Sequence, residues 1–464
     1  MDTICALATP PGGALGIIRI SGPDALPIVS TLIPSPIPSG GGGGRLHAYI
    51  KDAQGEIVDD TLITVFHAPH SYTGEDIVEI SCHGSTYILN KTLQLLVDKG
   101  CRMANPGEYT MRAYLNGKMD LSQAEAVADL IASTNRATHQ LAISQLRGGI
   151  TTEMTRLRAK LLRLTTLLEL ELDFSDHDDL QFADRSELQE LSEEIHRHIQ
   201  QLSHTFETGQ ALKQGIPVAI IGKTNVGKST LLNRLLKDDR AIVSHIHGTT
   251  RDTIEEVIHL HGIPFRFIDT AGIRQTTDQV EQIGIQRTYQ TMEKARIILW
   301  LVDQKPTDAE TEEILKRSQG KSLLLTVNKI DISPLPSEGS GEAVGGRLPI
   351  PLREIREIRD SIPISAKHGT NISQLEEAIY QAANIPELHE TDVIITNARH
   401  YEALLRARDA LQRVLAGLQT QLSADLIAED LRQALSALAE ITGEGQITPH
   451  EVLENIFKHF CVGK

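Results

Sequence analysis

The chain has 464 residues, with 45 Lys and Arg against 61 Asp and Glu and a formal net charge of −16. That length predicts about three domains, and that charge excludes a chain that coats nucleic acid by nonspecific phosphate neutralisation, a mode that needs clustered cations. Four scattered cysteines, Cys5, Cys82, Cys101 and Cys461, with no CxxC, predict neither a disulfide framework nor a zinc knuckle.

In chain order, the start MDTICALATPPGGALG has no basic segment ahead of an apolar one, and no apolar run is long enough to span a bilayer, so a cytoplasmic, membrane-free protein is expected. Residues 1–118 alternate short apolar runs with turn signals (ALGIIRISG, DTLITVFHAP, DIVEISCHG) and then carry the helix-patterned STYILNKTLQLLVDKG, which predicts an α+β module. PSPIPSGGGGGR at 34–45 is rich in Pro and Gly and predicts a flexible loop. Residues 119–214 turn helical, with Leu157, Leu161, Leu164 and Leu168 on one face and Glu, Gln and Arg on the other. The acidic DFSDHDDLQFAD at 173–184 breaks that period and reads as a solvated connection.

Residues 215–385 alternate apolar strands (IPVAIIG, FRFIDT, IILWLVD, SLLLTVN, SIPISA) with polar helical stretches, the pattern of a doubly wound, mostly parallel sheet. PLPSEGSGEAVGGRLP at 334–349 interrupts it and reads as disordered. A second helical region, 386–464, sets Leu404, Leu411, Leu415 and Leu418 on one face and Leu431, Leu435 and Leu438 on another. Neither helical segment buries its stripe alone. Packed together, they make one discontinuous helical domain with the sheet domain inserted in it. The fold class expected is multidomain α/β plus all-α.

The nucleotide chemistry is written in local motifs. VAIIGKTNVGKST places GxxxxGKS (Gly222, Gly227, Lys228, Ser229) after a strand and before the helical STLLNRLL, the context a P-loop requires. The glycines let backbone N–H groups turn inward on phosphate oxygens, Lys228 meets the β and γ phosphates, and Ser229 offers its hydroxyl to Mg²⁺. GTTRD supplies Thr249 and Thr250 as switch residues for magnesium. DTAG, Asp269 to Gly272, ends a strand where the acid holds the metal's water shell and the glycine turns toward the γ-phosphate. NKID selects guanine: Asp331 accepts from its N1–H and 2-amino group, and Asn328 supplies a side-chain amide. SAK, Ser365 to Lys367, closes the base pocket. Together these predict GTP binding and hydrolysis.

After DTAG stands Ile273, which cannot hydrogen-bond an attacking water, so hydrolysis must draw on another group. A cation beside the phosphates would meet the developing charge. Asn225 and the loop from Ser244 to Thr250 are placed for it, although the residues alone favour the plainer reading of ordinary loop positions.

Outside these motifs, ATPPGGALGIIRISG, SYTGEDIVEISCHG, RMANPGEYTMRAYLNGKMDLSQAEAVADLI and the terminal FCVGK resemble signatures of the MnmE (TrmE) family of tRNA-modifying GTPases. The resemblance runs over essentially the whole chain. It implies a dimerising N-terminal folate-binding domain, a helical domain in two segments and an inserted G domain. It implies a homodimer acting with the flavoprotein MnmG to add an aminomethyl or carboxymethylaminomethyl group at carbon 5 of the wobble uridine of certain tRNAs. The one-carbon unit would come from 5,10-methylene-tetrahydrofolate, with 5-formyl-tetrahydrofolate an alternative ligand, in a pocket of Arg19, Glu79, Lys118 and Lys464.

The resemblance also implies nucleotide contacts from Asn225, Val226, Gly227, Lys228, Ser229 and Thr230. Further contacts would come from Ser244, His245, Ile246, His247, Gly248, Thr249 and Thr250, from Asp269, Thr270, Ala271 and Gly272, and from Asn328, Lys329, Asp331, Ser365, Ala366 and Lys367. Magnesium is assigned to Ser229 and Thr250, and potassium to Asn225, Ser244, Ile246 and Thr249. Lys228, Glu281 and Arg274 are the catalytic candidates, Glu281 organising the attacking water with Arg274 assisting. Cys461 has no His or acid beside it and reads as a structural thiol. His83 reads as a general base or as a satisfied polar residue, and Arg353, Arg356 and Arg359, with Glu354 and Glu357 between them, as a solvated face. The rival reading is an Era-like regulatory GTPase of ribosome assembly, against which stand the acidic charge and the lack of an RNA-binding signature.

Overall fold

The structure, a computed structural model, describes residues 2–37, 44–173, 185–238, 255–268, 289–331, 361–385, 393–420, 422–443, 453, 456–458, 460 and 462–463. It divides into two compact units, one of residues 1–133, 139–203 and 397–464, the other of residues 134–138 and 204–396.

The first unit opens with strands β1 (Ile4–Leu7) and β2 (Leu15–Ser21), the short helix α1 (Ala25–Ser30), and strands β3 (Gly44–Lys51), β4 (Ile57–Phe66) and β5 (Ile77–His83). Helix α2 (Thr86–Asp98), strand β6 (Arg102–Met103) and helices α3 (Glu108–Leu115), α4 (Leu121–Ala132), α5 (Arg136–Leu146), α6 (Gly149–Asp173) and α7 (Arg185–Gln214) follow. The strands form a sheet in the order β3-β4-β5-β2-β1-β6, antiparallel except for the β1–β6 pair. Strict alternation builds it: Thr61, Ile63 and Val65 of β4 are buried while Leu62 and Phe66 are exposed. The buried face packs Ile18, Ile20, Ile63, Val78 and Ile80 against Val29 of α1 and Leu89 and Leu96 of α2. Gly44 and Arg45, expected in the loop, begin β3. Cys5, Cys82 and Cys101 are buried free thiols.

Helix α4 starts at a reciprocal cap. The Asp120 side chain accepts from the Gln123 N–H while the Gln123 side chain accepts from the Asp120 N–H. Leu157, Leu161, Leu164 and Leu168 of α6 form the buried stripe that their spacing predicts.

In the second unit, β7 (Ile216–Ile221) leads into α8 (Lys228–Asp238). Strands β8 (Glu256–Leu260), β9 (Ile263–Phe267) and β10 (Ile297–Val302), helix α9 (Asp308–Arg317), strands β11 (Ser322–Val327) and β12 (Ile362–Pro363) and helix α10 (Ile372–Ala382) follow. The sheet order is β12-β11-β10-β7-β9-β8, parallel throughout except for the β8–β9 pair. All of β10 is buried, as a strand covered on both faces requires.

The chain ends in α11 (Ala398–Gln419) and α12 (Ala424–Thr442), where α12 packs against both α11 and α6 of the first unit. Their buried stripes differ by one position from expectation. Val414 and Ala434 are buried, whereas Leu415 and Leu435 are only partly so, because small residues let the helices approach closely and the leucines wrap the edge of the contact. The acidic stretch from 174 to 184, the glycines at 40–43 and the loop at 334–349 lie outside the described residues. No described helix is long and apolar enough to cross a membrane.

Candidate functional site

The P-loop is the turn between β7 and α8. Its backbone dictates its sequence: Gly222 has φ 149° and Gly227 φ 100°, and a Cβ on Gly222 would stand 2.2 Å from the Leu301 carbonyl oxygen. Asn225 also takes the left-handed conformation, at φ 62°, on the exposed side of the loop. Lys228 curls back so that its Nζ donates to the carbonyl oxygens of Gly222 (2.6 Å) and Lys223 (2.8 Å). Burial pushes its ammonium below the usual lysine range. A phosphate placed in this concavity would exchange two neutral acceptors for full negative charge, so the site prefers an anion.

The base side of the site is joined to the phosphate side through Asn328. This side chain, 5% exposed, donates from Nδ2 to the Val226 carbonyl (2.7 Å) and accepts at Oδ1 from the Ala366 N–H (3.0 Å), tying the loop after β11 to the P-loop and to the segment after β12. Ser365 Oγ donates to Asp331 Oδ1 (2.6 Å). That bond, more than the nearby His368 and Lys367, holds the Asp331 carboxyl below the usual carboxylate range. Asp331 is therefore an ionised acceptor presented toward the loop, and Lys329 Nζ is braced on Asp303 Oδ2 (2.8 Å). Ser229 and Thr230 sit in the first turn of α8. Among the described residues no group of three or more His, Cys, Asp or Glu is arranged to hold a metal ion, and of the described residues here Ser229 offers a hydroxyl to a hard cation. Ser244, His245, Ile246, His247, Gly248, Thr249, Thr250, Asp269, Thr270, Ala271, Gly272, Arg274 and Glu281 lie outside the described residues, as do Arg353, Arg356 and Arg359.

A second site lies in the first unit. A cavity of about 350 Å³ is lined by Arg19, Phe66, Tyr72, Ile77, Glu79 and Val127. Register creates its charged floor: Arg19 of β2 lies directly opposite Glu79 of β5. Arg19 Nη2 and Nε reach Glu79 Oε1 at 2.7 and 2.8 Å. The guanidinium stands 5.9 Å from the Tyr72 ring centre and 5.7 Å from that of Tyr109, and Tyr109 Oη donates to the Arg19 carbonyl (2.7 Å). Arg19 Nη1 also donates to the Gly463 carbonyl (3.2 Å), which brings the end of the chain to this pocket. A cavity of this size, with an aromatic and aliphatic wall and one cation–anion pair, suits a planar heterocycle with donor and acceptor edges.

The structure thus joins Arg19 and Glu79, separated by sixty positions. It does not bring Lys118 into the lining: Lys118 Nζ donates to the Pro69 carbonyl (2.8 Å) on the loop that also carries Tyr72. Lys464 and Cys461 lie outside the described residues. His83 is also apart from the cavity lining. Its Nδ1 meets the buried Asp59 Oδ1 at 2.8 Å, and its backbone N–H donates to Asp59 Oδ2 (2.8 Å).

Sequence reasoning missed Tyr72, Tyr109 and Val127, although each lies within a quoted signature. It also missed Arg112, 2% exposed, which donates to Glu75, Glu108 and Asp2 and fixes the loop bearing Tyr72.

Two family models match the chain: GTP-binding protein TrmE N-terminus over residues 3–118 and MnmE helical domain over residues 121–461. The tRNA modification GTPase MnmE of Bacteroides thetaiotaomicron is 50% identical over 473 residues, covering 100% of this chain and 99% of its own length. Its namesake in Phocaeicola vulgatus is 49% identical over 503 residues, with 100% and 99% covered, and that of Cytophaga hutchinsonii 46% identical over 468, with 100% and 98% covered. Among solved structures, Era in complex with MgGDPNP and part of 16S ribosomal RNA is 29% identical, covering 42% of this chain and 66% of its own, at a TM-score of 0.26 too low to carry an argument. With both family models satisfied and about half of all positions shared along its full length with these relatives, the chain belongs to the MnmE family.

Proposed function

We propose that this chain is a tRNA modification GTPase, the activity named for its full-length relatives. The observation that supports the reading is the joined site, in which Asn328 ties an anion-seeking P-loop to the segment whose Ser365 hydroxyl donates to the ionised Asp331. Lys228 meets the transferring phosphate, and Ser229 with Thr250 would hold magnesium, which supplies charge neutralisation when bound. Because Ile273 offers no hydrogen bond to water, Asn225, Ser244, Ile246 and Thr249 would hold a potassium ion that would supply positive charge for hydrolysis. Glu281, with Arg274, orients the water.

The second half of the proposal concerns the first unit. Arg19 and Glu79, together with Lys118 and Lys464, bind the folate that supplies the one-carbon unit, and MnmG and tRNA are the partners. The chain works as a cytoplasmic homodimer. Supporting this, the sheet face turned away from α1 and α2 leaves Leu15, Tyr49 and Leu62 at 67%, 44% and 43% exposed, apolar surface that a second copy could cover. Its domains are assigned as 1–118 for folate binding and dimerisation, 119–214 and 386–464 for the helical domain, and 215–385 for the G domain.

Isothermal titration with 5-formyl-tetrahydrofolate tests the pocket: saturable heat is expected for the wild type and none for Arg19→Ala, and a flat wild-type trace rejects folate binding. GTP turnover compared in potassium and sodium tests the ion, since equal rates remove it from the mechanism.

A further inference from the structure

The cavity at Arg19 meets the far end of the chain, whose Gly463 carbonyl accepts from that arginine, and one buried ionic cluster registers the two. Glu125 lies on α4, two residues before Val127, so the two side chains leave opposite sides of the helix. Val127 walls the cavity. Behind it, the Glu125 carboxylate accepts from Arg399 Nε (2.9 Å to Oε1), Arg399 Nη2 (2.9 Å to Oε2) and, across 2.8 Å, from His400 Nε2. Burial alone would raise the Glu125 pKa, but the bonds and charges of His400 and Arg399 outweigh it and bring it down to about 2.

The same guanidinium reaches further. Arg399 Nη1 donates to the Glu440 carbonyl (2.6 Å) and Nη2 to the Ile441 carbonyl (3.0 Å), capping the last turn of α12. One residue beyond that helix, Gly443 turns the chain at φ 75° against the Tyr114 hydroxyl of α3. The tail that follows packs Leu453 and Phe457 on Leu121 and Ala124 of α4 and ends with the Gly463 carbonyl on Arg19. One carboxylate therefore anchors the back of a cavity wall and, through Arg399, the end of the helix from which the tail that meets Arg19 departs.

We propose that Glu125, with Arg399 and His400, is a positioning cluster that holds α4 and the C-terminal tail in the register the Arg19 pocket needs for its ligand. The proposal rests on the folate reading of that pocket. Glu125→Gln keeps the shape but removes the carboxylate charge that the Arg399 fork and His400 Nε2 meet, so the register loosens while the P-loop, in the other unit, is untouched. Affinity for 5-formyl-tetrahydrofolate should fall about tenfold or more, with GTP turnover at the wild-type rate. Amide hydrogen exchange should quicken in residues 121–132 and around Gly463 but not in α2. Arg399→Lys, which keeps the charge but loses the fork, should act in the same direction, and Glu125→Asp should recover part of the affinity.

A wild type that gives no saturable heat rejects the folate reading itself, and the exchange pattern still judges the register. A wild type that binds, with both variants binding as tightly, overturns the positioning role. Variants that lose GTP turnover together with folate affinity also overturn it, because the cluster then holds the fold as a whole.

Discussion

The two sites of this chain are built in opposite ways. The nucleotide site is made by short contiguous segments whose backbone does the work: Gly222 and Gly227 shape the loop, and Asn328 clamps it to the base side. The Arg19 pocket is made by side chains from three strands, a loop and a helix, with the Gly463 backbone carbonyl accepting from its arginine. A site made of backbone turns carries its own signature. A site made by register and tertiary packing is defined only once the chain has folded.

The difference predicts where each site breaks. The largest effect is expected at Gly222→Ala, whose new methyl has no room beside the Leu301 carbonyl and whose φ disfavours any side chain. GTP binding should fall by about a hundredfold or more, a misplacement of the reacting phosphates being that costly, while heat from 5-formyl-tetrahydrofolate persists. Loss of both ligands would break the comparison.

Next comes Arg112→Met, which takes the buried guanidinium from Glu75 and leaves Glu108 to Arg102. Breaking a buried pair from one side costs about 3 to 5 kcal/mol. Chemical denaturation of the first unit should show it, with GTP turnover intact at low denaturant. The same network sets an acid limit. Arg102 holds Asp2 down to about 2. Glu108, although burial opposes it, is kept below the usual carboxylate range by Arg102, the Asn105 N–H and Arg112. Folded acidities below the unfolded ones mean that the stabilisation is complete above the ordinary carboxylate range and is lost as pH falls toward about 2. The melting temperature should therefore fall on acidification, and less steeply in Arg112→Met.

A sharper test of the nucleotide side is Asp331→Asn, which replaces the ionised acceptor by an amide. GTP affinity should drop by about 3 kcal/mol, the upper range for a charged hydrogen bond, and xanthosine triphosphate, with an acceptor where guanine has a donor, should gain. Unchanged base preference would remove Asp331 from recognition. The smallest effect is Tyr109→Phe, which deletes one bond to the Arg19 carbonyl and should cost about 1 kcal/mol of stability, with a slight loss of folate affinity and none of GTP turnover.

The same contrast explains what the sequence made legible. The P-loop, NKID and SAK could be read because each motif is short and its chemistry follows from its own spacing. The mostly parallel sheet of the second unit, the helical stripe of α6 and the packing of α6 with α12 followed from periodicity. Arg112 could not be read, because a charged residue one turn from Glu108 on a helix looks solvent-facing until Asp2 and Glu75 arrive from distant segments. Tyr72 and Val127 carry no charge to mark them as ligand-facing. Lys118 was paired with Arg19 and Glu79 by resemblance, and in the structure its ammonium is taken by the Pro69 carbonyl at the rim.

The central claim is that one chain couples a GTP site and a folate pocket to the same tRNA product. The most direct test replaces the cellular protein by Arg19→Ala or by Lys228→Ala and measures the nucleosides at the wobble uridine. The account predicts that neither variant restores the modified nucleoside, although purified Arg19→Ala hydrolyses GTP at the wild-type rate. Full modification in cells carrying Arg19→Ala would contradict it.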